Sequence, residues 1–261
     1  MSDEHAGRQS DRSPLVPDSD PASTRRSLPR GEVQVWFASL GQPLRAVQDP
    51  ASPLSSDERV RAERFHFDRD RLRFISARSI LRTILGEYLC AFPASVVFRY
   101  DAKGKPALSG RWTGALEFNV SHSRDGVLYA LARDRRVGVD LEFIRPLNDL
   151  HEMAPRVLSE HEQVAFGRAA PSERLRVFYE FWTRKEALIK ATGEGLAFPV
   201  DQVDTWLRPG QSVRLLGSHG HGGGKKEAWT LRVLAPDPAY AAALVVEGDA
   251  FDLRCGRWPG P

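Results

Sequence analysis

The chain has 261 residues, 41% hydrophobic and 27% charged, a composition that supports a globular protein with a sizeable core. Its formal net charge of +3 favours anionic ligands only mildly and is too small to imply nucleic acid as a partner. The two cysteines, Cys90 and Cys255, make no CxxC or Cys/His cluster, no apolar run reaches the ~18 residues of a membrane span, and the N-terminus lacks an apolar signal core. Neither a disulfide framework, a zinc site nor a transmembrane helix is expected, and the expected location is the cytoplasm.

Residues 1–30 are rich in Ser, Asp, Arg and Pro and read as a disordered leader. The alternation of Val33, Val35 and Phe37 with Glu32, Gln34 and Trp36 predicts the first strand. Ser55 and Glu58 form a capping box that opens one long basic helical stretch running to Leu89. Its buried stripe includes Ile80, Leu81, Ile84 and Leu85, while its arginines, interleaved with acids, make a salt-bridged outer face. Pro93 breaks the helix, and a strand follows at Val96–Tyr100. Lys103-Gly104-Lys105-Pro106 then forms a tight cationic turn.

Leu116–Val120, Val127–Ala132 and Val137–Phe143 predict three strands of a sheet. In the last, Val137, Val139 and Leu141 share one face, and Asp140 and Glu142 share the other. Two carboxylates on one face of an apolar strand indicate either a solvent-exposed sheet face or a site for a hard, oxygen-preferring cation. A second capping box, Ser159 with Glu162, precedes a helix beginning near Ser172, in which Glu186 and Lys190 lie four apart on one face. Alone, that pair reads as an exposed ion pair rather than as part of a site. Gly193 and Gly195 end the helix. Further strands are expected at Val203–Leu207, Val213–Leu216, Trp229–Leu234 and Tyr240–Val246, with a mobile Gly/His loop at 217–226 and a tail from about Gly248. The fold class is α+β, in two lobes spanning 31–145 and 146–250, with residues 251–261 as the tail.

Taken together, Asp140, Glu142 and Glu186 suit Mg²⁺, which takes a few carboxylates together with waters and substrate phosphates. Lys103, Lys105, Lys190 and His122 then supply partners for a pyrophosphate, with Ser121 and the turn near Asn119 as further donors. An Mg²⁺-dependent pyrophosphatase or other phosphoryl-transfer enzyme remains an alternative on this evidence. A non-catalytic basic module is disfavoured by the acids among the arginines.

The segments FNVSHS (118–123), GVDLE (138–142) and WTRKEALIKATGEGL (182–196), with KGKP (103–106) before them, resemble the 4′-phosphopantetheinyl transferase superfamily in order and separation. The resemblance is to its larger two-lobed class and runs from about Glu32 to Val246. It implies a monomer of two similar lobes related by a pseudo-twofold axis, with coenzyme A held between them. It implies transfer of the 4′-phosphopantetheine arm to a serine of a small acidic acyl or peptidyl carrier protein, with adenosine 3′,5′-bisphosphate released. By the same resemblance, Asp140 and Glu186 hold Mg²⁺, Glu142 is a further ligand, and Glu186 or a metal-held water is the base. Lys190 supports the leaving group and His122 bonds a phosphate oxygen. Arg61 and Lys103–Lys105 hold the 3′-phosphate and nucleotide, and Asn119–Ser121 line the pocket. Position 58, often basic in some members, is Glu here, which implies fewer cations for the 3′-phosphate.

Overall fold

The computed structural model describes residues 13–14, 26–40, 53–195, 199–205, 214–216 and 228–258. Four layers build it: helix, sheet, sheet, helix. The first sheet runs in the order β11 (Asp252–Arg257), β2 (Glu32–Ser39), β6 (Gly126–Ala132), β5 (Glu117–Ser123). The second runs β1 (Ser13–Pro14), β9 (Ala228–Ala235), β10 (Tyr240–Glu247), β7 (Val137–Phe143), with β8 (Arg214–Leu216) also paired to β9. β3 (Phe98–Tyr100) and β4 (Pro106–Leu108) form a separate hairpin carrying the KGKP turn.

Alternation within the strands decides the layering. Val33, Val35, Phe37, Leu128 and Ala130 point from the first sheet toward Val137, Val139, Leu141 and Leu244 of the second, making a dry core between sheets. The opposite face of the first sheet, through Trp36, Tyr129 and Leu131, receives the long helix α2 (Asp68–Leu89) at Ile80, Ile84 and Leu85. The second sheet's outer face receives α5 (Pro171–Thr192), where Ala187, Leu188 and Ala191 pack on Trp229, Leu231 and Ala243. The shorter helices α3 (Leu150–Val157) and α4 (Glu160–Arg168) pack with α5 around Phe178 and Phe181.

The two halves repeat one construction. α1 (Ser56–Glu63) and α4 both open on a Ser-x-x-Glu capping box, closed at Ser55–Glu58 and Ser159–Glu162. Each box glutamate is buried and pairs with a cation on the 22-residue helix that follows: Glu58 with Arg82 at 2.6 Å, Glu162 with Lys185 at 2.8 Å. Each cation also donates to two backbone carbonyls three residues apart, Pro93 and Val96 for Arg82, Val200 and Val203 for Lys185.

Several expectations are corrected. The basic helical stretch is two helices, because the chain turns at Arg64–Phe67 and lays the Phe65 ring 5.3 Å from that of Phe74. Residues 200–202 form a 3-10 turn and 203–205 no strand, since the Val200 and Val203 carbonyls are taken by Lys185. The strand at 96–100 begins only at Phe98, after a 3-10 turn at Pro93–Ser95. The supposed tail is β11, which pairs in parallel with β2 and would otherwise leave that edge open. β7, placed by sequence in the first lobe, is hydrogen-bonded into the second sheet through β10. From the supposed leader, Arg26 reaches the first sheet, lying 4.1 Å over the Trp36 ring and bonded to Glu87. Leu207, the Gly/His loop with His219 and His221, and most of the leader lie outside the described residues.

Candidate active site

The site forms where the edges of the two sheets meet. β5 and β7 run side by side without a backbone ladder, and β5 side chains bridge the gap. Asn119 Oδ1 accepts from the Val139 amide at 2.9 Å, Ser121 Oγ from the Leu141 amide at 3.2 Å, and Ser123 Oγ from the Phe143 amide at 3.1 Å. This period-two row satisfies backbone donors that an open strand edge would leave unpaired. Sequence reading identified Asn119 and Ser121 but missed Ser123, although the same alternation includes it.

Opposite this seam, α5 approaches β7 closely. A Cβ on Gly138 would stand 2.1 Å from the Ala187 carbonyl oxygen, so glycine is required there. Gly138, Asp140 and Glu142 share the strand face turned to α5. Lys190, in the last turn of α5, therefore reaches Asp140 Oδ1 at 2.6 Å and Ser121 Oγ at 2.9 Å. Ser121 Oγ donates to the same Asp140 oxygen at 2.8 Å. Asp140 is only 2% exposed, and its other oxygen, Oδ2, is buried with no hydrogen-bond partner.

Glu142 and Glu186 flank this carboxylate. Ser123 donates to Glu142 Oε2 at 2.8 Å. Burial, and then the negative charge of Asp140, raise the Glu186 pKa above the usual carboxylate range. Glu142 is raised chiefly by burial, against the Ser123 hydrogen bond and with added repulsion from Asp140 and Glu186. Lys190 lowers both, but one cation does not offset three acids. Among the described residues, no group of three or more His, Cys, Asp or Glu side chains converges in ligating geometry. The donor set still fits a hard cation, because a buried anionic oxygen without a donor is expensive to maintain and two further carboxylates border it.

Two adjoining cavities extend from this point. One, about 300 Å³, lies between the KGKP turn and the end of α5 and is lined by Lys103, Gly104, Lys105, Asn119 and Lys190. Gly104 takes φ +80° to make the turn. Lys105 Nζ donates to the Lys190 carbonyl at 2.6 Å and Lys103 Nζ to the Gly193 carbonyl, so both lysines cap the negative end of α5. The other cavity, about 440 Å³, holds Arg61 and His122 against Phe74, Ala77, Leu81 and Val120. Pro106 and Val120 border both, which makes them parts of one cleft. His122 lies on the β5 face opposite Ser121; partial enclosure and then the Lys190 ammonium lower its pKa, favouring the neutral imidazole. Arg73, Arg78 and Arg124 also line this cavity and were not singled out by sequence. A larger open groove of about 850 Å³ beside α1 shares Arg61 and Phe65 with it, away from the carboxylates.

The geometry thus joins Asp140, Lys190 and Ser121 by hydrogen bonds, leaves Glu142 and Glu186 within electrostatic reach of Asp140, sets Lys103, Lys105 and Asn119 beside Lys190, and places Arg61 and His122 in the adjoining cavity. Glu58 faces the protein interior, at 1% exposure. No helix among the described residues is long and apolar enough to cross a membrane.

Residues 136–245 match the model of the 4′-phosphopantetheinyl transferase superfamily, and residues 43–134 match a 4′-phosphopantetheinyl transferase N-terminal model. The boundary between the two matches falls just before β7, in keeping with its place in the second sheet. The chain is 38% identical to the 4′-phosphopantetheinyl transferase HetI of Nostoc sp., over 87% of this chain and 93% of that protein. It is 32% identical to the 4′-phosphopantetheinyl transferase psf-1 of Bacillus pumilus, over 73% and 78%, and 25% identical to a 4′-phosphopantetheinyl transferase of Bacillus subtilis, over 81% and 91%. This chain belongs to the 4′-phosphopantetheinyl transferase superfamily.

Proposed function

We propose that this protein transfers the 4′-phosphopantetheine arm of coenzyme A to a serine hydroxyl of an apo acyl or peptidyl carrier protein, with Mg²⁺, releasing adenosine 3′,5′-bisphosphate. The observation that carries this reading is the buried, unpartnered Oδ2 of Asp140 beside two carboxylates and a lysine. Asp140 and Glu186 would hold the metal, with Glu142 a direct or water-mediated ligand. When bound, Mg²⁺ supplies Lewis-acid polarisation of the pyrophosphate and neutralises its charge.

The chain's own groups account for the remaining chemistry. A serine hydroxyl is a weak nucleophile at neutral pH, and Glu186, or a water held by the metal, would take its proton. The serine oxygen bonds to the phosphorus nearer pantetheine, and the bond from that phosphorus to the bridging oxygen breaks. Charge then grows on the departing adenosine 3′,5′-bisphosphate, where the Lys190 ammonium stabilises it. Neutral His122 donates an N–H to a phosphate oxygen. Lys103 and Lys105 each spend one of three ammonium donors on a helix carbonyl and keep the others for the nucleotide. Arg61 and Asn119 complete the cleft lining.

The test is the intact mass of an apo carrier protein after incubation with the enzyme, coenzyme A and Mg²⁺. Gain of one phosphopantetheine arm, lost on chelation, is the expected result. Release of inorganic phosphate with no change in carrier mass would overturn the reading in favour of a pyrophosphatase.

A further inference from the structure

Arg61, which lines the proposed coenzyme A cleft, sits on a short helix with few buried residues. α1 has eight residues, of which only Glu58 and Ala62 are buried. Arg61 is on the cleft side, its guanidinium 5.3 Å over the Phe74 ring of α2. Glu58, one turn earlier on the same side of the helix, is buried against α2. Its Oε2 accepts from Arg82 Nε at 2.6 Å and from the Ser55 amide at 3.1 Å, and its Oε1 lies 3.3 Å from Arg78 Nε. Arg82 also donates to Ser55 Oγ at 2.8 Å, so one buried guanidinium grips the cap and the glutamate together. Arg78 is in turn packed among the rings of Phe74, Phe98 and Tyr100.

We propose that Glu58 is a positioning residue for nucleotide binding: its carboxylate, clamped between Arg82 and Arg78, fixes α1 on α2 and so holds Arg61 over the cleft. The inference rests on the coenzyme A reading above. It also reverses the meaning of the acidic residue at position 58. A cation placed there would face Arg82 and Arg78 rather than a phosphate, so Glu58 supports the anion site through the seating of α1 instead of weakening it. A bound anion then gains from an Arg61 whose position is fixed before binding, since ordering a long side chain on association costs affinity.

A double-mutant cycle read by calorimetric titration with coenzyme A tests this. Glu58→Gln is expected to weaken coenzyme A binding about tenfold, the scale of one charge-assisted contact. Arg61→Ala should weaken it by a similar factor, and adding Glu58→Gln to Arg61→Ala should cost less than a further twofold. Equal losses from Glu58→Gln in both backgrounds would assign Glu58 to general stability and overturn the proposal. If Glu58→Gln does not fold, Glu58→Asp keeps the charge but withdraws it by one methylene. Its loss of affinity must likewise vanish in the Arg61→Ala background, or the proposal fails. Absence of coenzyme A binding by the unsubstituted protein would sink the functional reading itself, a result distinct from an additive cycle.

Discussion

Glu162 and Lys185 form a fully enclosed ion pair, 0% and 1% exposed at the side chain, that ties α4 to α5 and to the chain beyond. The carboxylate is shared among its own helix cap at Ser159, the ammonium, and both the amide and the hydroxyl of Thr205. The ammonium holds the Val200 and Val203 carbonyls, and burial pulls its pKa below the ordinary lysine range against the favourable pull of Glu162.

Removing one partner should leave the other charged and unpaired in the interior. Lys185→Ala is expected to lower stability by about 3–5 kcal/mol, measured by denaturant unfolding. Lys185→Met combined with Glu162→Leu should recover much of that loss. If the double variant is no better than the single, the polar connections to Thr205 and the 200–203 turn matter more than the charge pair.

Within the site, Glu186→Gln keeps the shape of the side chain and removes a base and a metal ligand. Turnover with a carrier protein should fall by at least about 100-fold, the scale of general-base catalysis, with an unchanged circular dichroism spectrum. Activity near that of the unsubstituted protein would remove Glu186 from the mechanism.

Lys190→Ala separates the two substrates. It takes a cation from the pyrophosphate side of the cleft, so the affinity for coenzyme A should drop about tenfold while that for apo carrier stays within about twofold. The reverse pattern would place Lys190 at the carrier interface.

The raised pKa values of Glu142 and Glu186 have a definite sign. In the folded protein these groups hold protons more tightly than in the unfolded chain, so without metal their contribution to stability falls as pH rises from the ordinary carboxylate pKa through the raised values. Mg²⁺ competes with those protons. Its stabilisation, read as a rise in Tm, should therefore be small at the acid end of that window and grow above it. Glu186→Gln should flatten the response. A Tm gain from Mg²⁺ that is constant across the window would argue against these carboxylates as its ligands.

Gly138→Ala probes the helix-to-strand contact. The added carbon would meet the Ala187 carbonyl at 2.1 Å and the Ala191 amide at 2.4 Å, both rigid backbone, so α5 must move away. We expect a stability loss of about 1–3 kcal/mol or more and weaker coenzyme A binding, because Lys190 travels with the helix. Binding that survives while stability falls would show that α5 shifts without disturbing Lys190.

Local chemistry was legible in the sequence, and long-range closure was not. Both capping boxes form at Ser55–Glu58 and Ser159–Glu162, since all their partners lie within four residues. The face shared by Asp140 and Glu142 follows from strand alternation alone. What α5 brings to that face could be inferred only from complementary chemistry and from resemblance, because no local rule pairs residues 140 and 190. The burial of Glu58 was hidden for the same reason: its partner is 24 residues away on another helix. β11 was missed because Asp252–Arg257 carries only a weak apolar pattern, and its strand character comes from the waiting edge of β2.

That last pairing bears on how the protein is made. A ribosome delivers β2, β5 and β6 long before residues 252–257, so the first sheet spends most of synthesis with one edge bare and Trp36 uncovered on the side where Gly256 and Trp258 later settle. Its completion requires the intervening chain to be synthesised first, so the pairing of β11 with β2 is a long-range contact whose last partner arrives late. The N-terminal half expressed alone would display a pairing-competent strand to its neighbours, and a peptide spanning 252–258 supplied in trans is the natural means to quiet it.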